Sequence, residues 1–360
     1  MSTIIIKDTL RKSVEAASGG LQTIVYTKKG KPCFMNVLTK FNLSEIDSSL
    51  SGTHPAFIVD GRELSQILIG TYQMRVIDGE MVSQPYTVPT RGVVSLPYAI
   101  QTARASGAGF HAMTNAEWAA LQCRAWKNQQ YPKGANLYGC DSDDPSLYGV
   151  RVDGQPAGTT SGSGLIYTGS GPTDFRHNLA YNGISDLNGN ANEHVSGLRS
   201  VYGELQVLAN NNAASASHDL LDSSPDWMAI SGEDGSLISP DGNGTTANSI
   251  KLKSGSAASS VDYTLTLTSG QFQVATIVNS TGKAVTSLAL KKLQVLGLYP
   301  FLSVDSDFFL VVNTAIIGYA QRGGHNSNAA AAGINALALS NLNINMGENI
   351  TSRLAYYSVA

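Results

Sequence analysis

The stretch of sequence that decides the fold is NGISDLNGNANEHV, residues 182–195, a run of turn-forming residues that ends in an apolar position. Asp186, Asn188, Asn190 and Glu193 place side-chain oxygens at short spacing, as a calcium-binding loop does, although the spacing is not that of an EF-hand. A hydrogen-bonded turn accounts for the same residues, because Asn and Asp commonly bond to nearby backbone groups. Both interpretations stay open at the level of sequence.

Around this stretch the chain has the composition of a loop-rich, β-rich globular protein. It has 360 residues, of which 36 are Gly and only 14% are charged. This length allows one large domain plus a smaller one, or two medium domains. A net charge of −3 gives no reason to expect a nucleic-acid partner, and no apolar run suggests membrane insertion. The opening residues show no secretory signal, so we expect synthesis in a reducing cytoplasm with Cys33, Cys123 and Cys140 as buried thiols. A Cys123–Cys140 bridge stays open.

Two helices are predicted before the loop-rich region. The first begins near Ser95 and ends at Gly107. The second begins at Thr114, which forms a capping box with Glu117, and it buries a face that includes Trp118. Beyond residue 130 helical periodicity gives way to Gly, Ser, Asn and Asp, which indicates loops that pack on one another.

The sequence divides into an N-terminal arm, residues 1–50, and a larger domain, residues 51–360. The arm contains a short helix over residues 9–17 and a hairpin, which we interpret as an attachment or oligomerisation element because it is too small to fold alone. Residues 235–290 read as a β insertion that forms a flap of its own, since residues 261–268 alternate like a strand. Further strands are predicted at residues 4–6, 308–312, 316–320 and 354–357.

Four pieces of the larger domain, in order, resemble a known family. They are residues 109–118 (GFHAMTNAEW), residues 182–195, the Arg-Gly-Gly at 322–324, and residues 350–355 (ITSRLA). The pieces are similar to motifs of the formylglycine-generating-enzyme, or sulfatase-modifying-factor, type of C-type lectin fold. The resemblance covers residues 51–360 and implies an α+β, loop-rich, C-type-lectin-like domain. The residues that carry it are Thr114, Glu117, Trp118, Asn190, Glu193, Arg322, Gly323, Gly324 and Arg353.

The departures from the family pattern bear on function. The family's oxidase carries a reactive Cys just after its Arg-Gly-Gly, whereas this chain continues with His325 and has no Cys after Cys140. Two tryptophans of the family's second motif are replaced by Asn192 and His194. No G-x-S-x-G or H-E-x-x-H pattern occurs either, so we predict no catalytic residues and no enzymatic activity.

The non-enzymatic branch of the same fold fits the sequence better. It comprises the variable proteins of diversity-generating retroelements, phage tropism determinants and similar virion proteins. Their closing segment resembles the order found here: Arg-Gly-Gly, a polar stretch, Gly333, an alternating strand, and Arg353. The resemblance implies a tail-fibre or tail-tip protein made in the cytoplasm of a host bacterium and displayed on the virion surface. Its expected partners are a host-cell surface protein or glycan, other virion proteins, and further copies of itself, with a trimer as one form.

A polar segment after Arg322 is the predicted ligand-binding face. Residues 340–345 alternate polar and apolar, so we expect the amides to point outward while Leu342 and Ile344 pack inward. A row of amides suits carbohydrate hydroxyls or protein loops, because it offers donors and acceptors without net charge. Alternatively, these residues are ordinary turn formers. For the whole protein, the alternative function is that of a structural capsid-decoration or tail protein. Apart from the open calcium question no cofactor is predicted. The predicted ligand residues are His325, Asn326, Ser327, Asn328, Asn335, Ser340, Asn341, Asn343 and Asn345.

Overall fold

The computed structural model describes residues 8–255, 259–267, 277–279, 281–301 and 310–359. They form an α+β structure in which strands outnumber helices, as the sequence predicts. No helix in these ranges is long and apolar enough to cross a membrane. The helices are α1 (Thr9–Ser18), α2 (Leu96–Ala105), α3 (Asn115–Asn128) and α4 (Ser287–Val295). The strands are β1 (Gln22–Tyr26), β2 (Pro32–Thr39), β3 (Ile58–Val59), β4 (Arg62–Glu63), β5 (Gln66–Gln73), β6 (Arg75–Ile77), β7 (Glu80–Val82), β8 (Phe110–Ala112), β9 (Asn192–Val201), β10 (Glu204–Leu208), β11 (Trp227–Ile230), β12 (Leu237–Ile238), β13 (Lys251–Ser254), β14 (Thr264–Leu267), β15 (Ile277–Asn279), β16 (Leu310–Val312), β17 (Ile317–Gly323), β18 (Gly333–Asn341) and β19 (Ile350–Tyr356).

Local signals place the helix ends where the sequence predicts them. The Thr114 side chain accepts a hydrogen bond from the backbone N–H of Glu117, whose carboxylate accepts one from the Thr114 backbone, so the capping box of α3 is confirmed. Ser95 caps α2. Helix α1 ends at Gly19, where a φ of 63° favours glycine.

Fifteen strands form one sheet, and β9 is one of the strands at which it branches. The longest path through the sheet runs β1-β2-β5-β19-β9-β10-β13-β14-β15. Strand β9 pairs in parallel with β19 and antiparallel with both β10 and β17. Strand β18 lies between β17 and β16. The C-terminal strands therefore reach the centre of the sheet, next to elements from the middle of the chain.

The separate N-terminal element expected for residues 1–50 is not seen in its described part. Strand β2 pairs with β5 from Met35 to Thr39, which makes it an inner strand of the main sheet. Leu38, Phe41 and Leu50 belong to the same apolar core as Trp118. Burial of these side chains joins the arm to the larger domain, because exposing them costs about 1.5–3 kcal/mol for a large apolar side chain.

The insertion expected at residues 235–290 does not form a flap of its own. Strand β13 pairs with β10 of the main sheet and in parallel with β14, and Leu252 and Leu265 lie in the main core. The predicted strand is shorter than expected, and β14 is buried at every position rather than at alternate ones. Residues 4–6, 268, 308 and 309, which the sequence also assigns to strands, lie outside the described residues.

A buried ion pair joins the middle of the chain to its end. Arg353 of β19 donates through Nε to Glu193 Oε2 of β9 at 2.8 Å, and both side chains are at most 1% exposed. Arg353 also donates to the carbonyls of Gly70 and Ser185, each at 2.9 Å. Gln73 donates to Glu193 Oε1 at 3.1 Å. The pair therefore ties together β5, β9, β19 and the turn before β9.

We predict that Arg353→Met lowers the unfolding free energy by about 3–5 kcal/mol, because it leaves the carboxylate of Glu193 buried without a cation. Urea unfolding followed by tryptophan fluorescence measures the change. The half-exposed pair Lys40–Glu63 is the matched control, and Glu63→Gln should cost at most about 1 kcal/mol. Adding Glu193→Leu to Arg353→Met should recover part of the loss. Equal effects at the buried and exposed pairs would contradict this account.

Stability should also fall in mild acid. His54 and His194 are buried, and burial, which penalises the charged imidazole, lowers the pKa of each from 6.5 to about 4. The unfolded chain binds these protons below pH 6.5 while the folded chain does not, so unfolding becomes easier as pH falls from about 6.5 to about 4. His54→Asn should keep an acceptor for the Ala56 N–H. It should also reduce the slope of the unfolding free energy against pH by up to the contribution of one proton. Urea midpoints at pH 7, 5.5 and 4.5 test this, and an unchanged slope in the variant would refute it.

Candidate ligand-binding site

The sequence pieces that carry the family resemblance lie next to one another in the fold. Glu193 of β9 is the cross-strand partner of Arg322 in β17, and the Gly189 N–H donates to the Gly323 carbonyl at 3.0 Å. The indole N–H of Trp118 donates to the Ile334 carbonyl of β18 at 2.7 Å. Helix α3, the turn before β9 and the Arg-Gly-Gly segment are therefore in direct contact.

The two glycines after Arg322 are required by the tight turn that follows β17. Gly323 and Gly324 have φ values of 85° and 72°, in the region that side-chain-bearing residues rarely adopt. A Cβ on Gly324 would stand 2.6 Å from the Cα of Ala332, so the backbone itself blocks a larger residue. The turn directs residues 325–332 back across the end of the sheet.

Arg322 supports this turn from inside the protein. It is fully buried and donates to Asn115 Oδ1 and to the Gly297 carbonyl, at 2.6 and 2.9 Å. No carboxylate pairs with it among the described residues, and its Nη1 has no partner. Burial lowers the pKa of Arg322 to about 9. Arg322 therefore connects α3 to the segment at Gly297. Its guanidinium is not available to a ligand.

A cavity of about 370 Å³ lies between the end of β17, strand β18 and the segment that leads into β19. Its volume is within the range of sites that hold small ligands. The structure brings together five of the nine predicted ligand residues, which line this cavity: His325, Asn328, Ser340, Asn341 and Asn345. Further lining residues that the sequence did not suggest as ligand contacts include Asn192, Gln321 and Met346.

The polar wall of the cavity is a chain of hydrogen bonds. Asn341 Nδ2 donates to Gln321 Oε1 at 3.0 Å, and Asn345 Nδ2 donates to Asn341 Oδ1 at 2.8 Å. His194 lies 3.1 Å from the Asn345 carbonyl through Nε2, so this nitrogen carries the proton. Two buried atoms of this hydrogen-bonded wall have no partner, the donor Gln321 Nε2 and the acceptor His194 Nδ1. The amides are therefore held in fixed orientations.

Nothing in the sequence around Gln321 indicates that it belongs to this wall. It is the cross-strand neighbour of His194 across a β-bulge in β17, and 20 residues separate it from Asn341. Only the pairing of β9, β17 and β18 reveals the contact.

Four predicted ligand residues do not line the cavity. Asn326 and Asn335 are each only 5% exposed, which corrects the expectation that they face a ligand. Asn326 donates to the Ser163 carbonyl at 2.5 Å, and Asn335 accepts a hydrogen bond from Gln122 at 3.1 Å. Their amides satisfy buried backbone and side-chain groups instead. Ser327 is exposed beside the cavity, while Asn343 is half-buried.

The predicted direction of the alternation after Ser340 is wrong. Strand β18 ends at Asn341, and beyond it the apolar side chains face solvent: Leu342 is 43% exposed, Ile344 63% and Met346 57%. The carbonyl of Asn343 accepts a hydrogen bond from the Leu96 N–H at 2.9 Å, which fixes the segment against the start of α2. With the amides engaged in the wall, the apolar residues must point outward. We call Leu342, Ile344 and Met346 the apolar ridge.

The four residues proposed as calcium ligands are committed to other contacts. Their side-chain oxygens accept hydrogen bonds from protein groups, and Glu193 is already neutralised by Arg353. The described residues contain no group of three or more His, Cys, Asp or Glu side chains that could hold a metal ion. The arrangement favours the hydrogen-bonded turn. The remaining contacts join Asp186 to the Gly169 N–H, Asn188 to Asn136, and Asn190 to the Ile166 N–H.

Comparison of the sequence with models of known protein families finds no match, and comparison with curated proteins finds no relative. The function therefore has to be argued from the geometry of the site.

Removal of calcium should leave the protein unchanged, since the oxygens of Asp186, Asn188, Asn190 and Glu193 have protein partners. We expect the same melting temperature in EDTA and in excess calcium, measured by differential scanning fluorimetry. Magnesium at equal ionic strength controls for screening. A saturable rise in melting temperature with calcium alone would reinstate these residues as ligands.

Proposed function

We propose that the protein is a non-catalytic binding protein of a phage virion, located at the tail fibre or tail tip, which presents its C-terminal face to a host-cell surface protein or glycan. The observation that carries the proposal is the apolar ridge beside an uncharged, amide-lined cavity. Contiguous exposed apolar side chains next to a polar cleft are typical of interaction sites.

The proposal includes a C-type-lectin-like fold of the formylglycine-generating-enzyme type, and contacts between the four pieces of sequence that resemble this family support it. The four pieces of sequence similar to that family meet through Trp118, Glu193, Arg322 and Arg353. The closing strand β19 lies beside β5 from the start of the domain, and the long loop region between α3 and β9 packs on the sheet. The cavity lies beside these pieces of sequence, since Asn192, Gly324 and Ile350 line it.

The chemistry of the thiols is consistent with a non-catalytic role. Cys33, Cys123 and Cys140 are buried and unpaired. Burial raises the pKa of each thiol, to about 12 for Cys33, which keeps these groups protonated and poorly nucleophilic. None of them lines the cavity beside His325.

An alternative is a structural capsid-decoration or tail protein, and the apolar ridge also supports it. In that case the ridge would be covered by a neighbouring virion subunit rather than by a receptor. For host attachment, we propose a homo-oligomer, a trimer being one form, because several weak sites acting together bind far more tightly than one.

The decisive test is adsorption of the purified, labelled protein to a panel of bacterial strains. Changing Leu342, Ile344 and Met346 together to Ser should reduce adsorption by about tenfold or more, because burying one large apolar side chain contributes about 1.5–3 kcal/mol. The folded state should tolerate this change, since all three side chains face solvent.

The matched control replaces three equally exposed apolar residues elsewhere, Val150, Leu221 and Val261, by Ser. We expect this variant to adsorb like the unmodified protein. Equal adsorption by both variants would remove the ridge from the binding face. Adsorption by neither variant nor the unmodified protein, together with detection of the chain in purified particles, would favour the structural role.

A further inference from the structure

The lining of the cavity is uncharged, although a buried arginine lies nearby. None of its described lining residues is Asp, Glu, Lys or Arg. Its one titratable described residue is His325, and partial burial lowers the pKa of that imidazole, so the ring is neutral at pH 7. The guanidinium of Arg322 is turned away, toward Asn115 and Gly297. At neutral pH the described wall therefore offers dipoles and no net charge.

The wall combines amide and apolar surfaces. The Gln321, Asn341 and Asn345 side chains form its hydrogen-bonded part. Gln321 Nε2 is a buried donor without an acceptor, and leaving such a donor unpaired costs about 1–3 kcal/mol. The rest of the lining mixes polar side chains, such as Asn192 and Asn349, with apolar ones that include Ala331, Leu337 and Ile350.

The strand pairing limits what can enter. Strand β18 is paired with β17 on one side and, from Leu337 to Leu339, with β16 on the other, so these positions offer no free edge to which an extended peptide could add. A ligand in the cavity is therefore a compact group that side-chain contacts hold, not a strand that backbone hydrogen bonds hold. A sugar ring suits this surface, because it carries hydroxyl or acetamido groups at its edge and C–H groups on its face.

We propose that the cavity binds the terminal residue of a neutral glycan, a hexose or N-acetylhexosamine, and discriminates against anionic sugars. An anion placed there would lose hydration without meeting a cation among the described lining residues. The inference rests on the binding function proposed above and names the chemistry of its ligand.

The test compares neutral sugars with charged counterparts of the same shape. Isothermal titration calorimetry is carried out on the full-length protein with glucose, galactose, N-acetylglucosamine and N-acetylgalactosamine, and with glucuronate and galacturonate. We expect at least one neutral sugar to bind. The uronates should bind at least about tenfold more weakly, because their charged group would be buried without a partner. Equal or tighter binding of the uronates, or no binding of any neutral sugar, would overturn the proposal.

Two variants locate the site. Asn341→Asp places a carboxylate in the wall and removes the donor to Gln321, so affinity for the neutral sugar should fall about tenfold or more. Asn343→Asp makes the same change in a neighbouring residue that does not line the cavity, and it should leave affinity unchanged. Gln321→Leu serves as a second wall variant if Asn341→Asp does not fold. Unchanged affinity in the folded wall variant would place the sugar elsewhere.

Adsorption in the presence of the bound sugar separates this inference from the proposed function. Inhibition of adsorption supports both. Adsorption that resists every neutral sugar and depends on the ridge would indicate a protein receptor, which overturns the glycan inference and leaves the binding function in place. Sugar binding without adsorption to any strain would uphold the glycan site and count against host attachment.

Discussion

The contact between Glu193 and Arg353 is the constraint on which the arrangement of the C-terminal half depends. A buried ion pair stabilises a fold only when its remaining donors and acceptors are also satisfied. Here Gln73 and the carbonyls of Gly70 and Ser185 complete the set. Because the pair and these partners together come from four separate segments, the contact fixes the position of β19 relative to β9 and β5.

The position of β9 in turn determines where the cavity forms. Its Glu193 end lies between β19 and β17, so the residues that follow β17 and precede β19 are brought to the same end of the sheet. The turn at Gly323 and Gly324 and the bond from Leu96 to Asn343 hold the two segments in place. A site built on paired strands is rigid, and rigid sites lose less conformational entropy when a ligand binds.

The outward ridge and the inward amides are two consequences of one set of hydrogen bonds. Asn341 and Asn345 are engaged with Gln321 and with each other, so alternate residues must face solvent. The exposed Leu342 and Ile344 are unfavourable in water and become favourable when a partner covers them. Together, the ridge would supply affinity for a partner and the cavity would supply selectivity for its chemistry.

The sequence by itself determined the features that depend on neighbours along the chain. The capping box of Thr114 and Glu117 and the start of α2 at Ser95 are of this kind, because their partners lie within a few residues. The grouping of Ser340 and Asn341 near His325 also followed from the order of the motifs. The tertiary structure alone decided that Asn326 and Asn335 are buried and that Leu342 and Ile344 are exposed. Those outcomes depend on contacts across the chain, such as Asn326 with Ser163, and side-chain alternation cannot tell which face of a segment finds such partners.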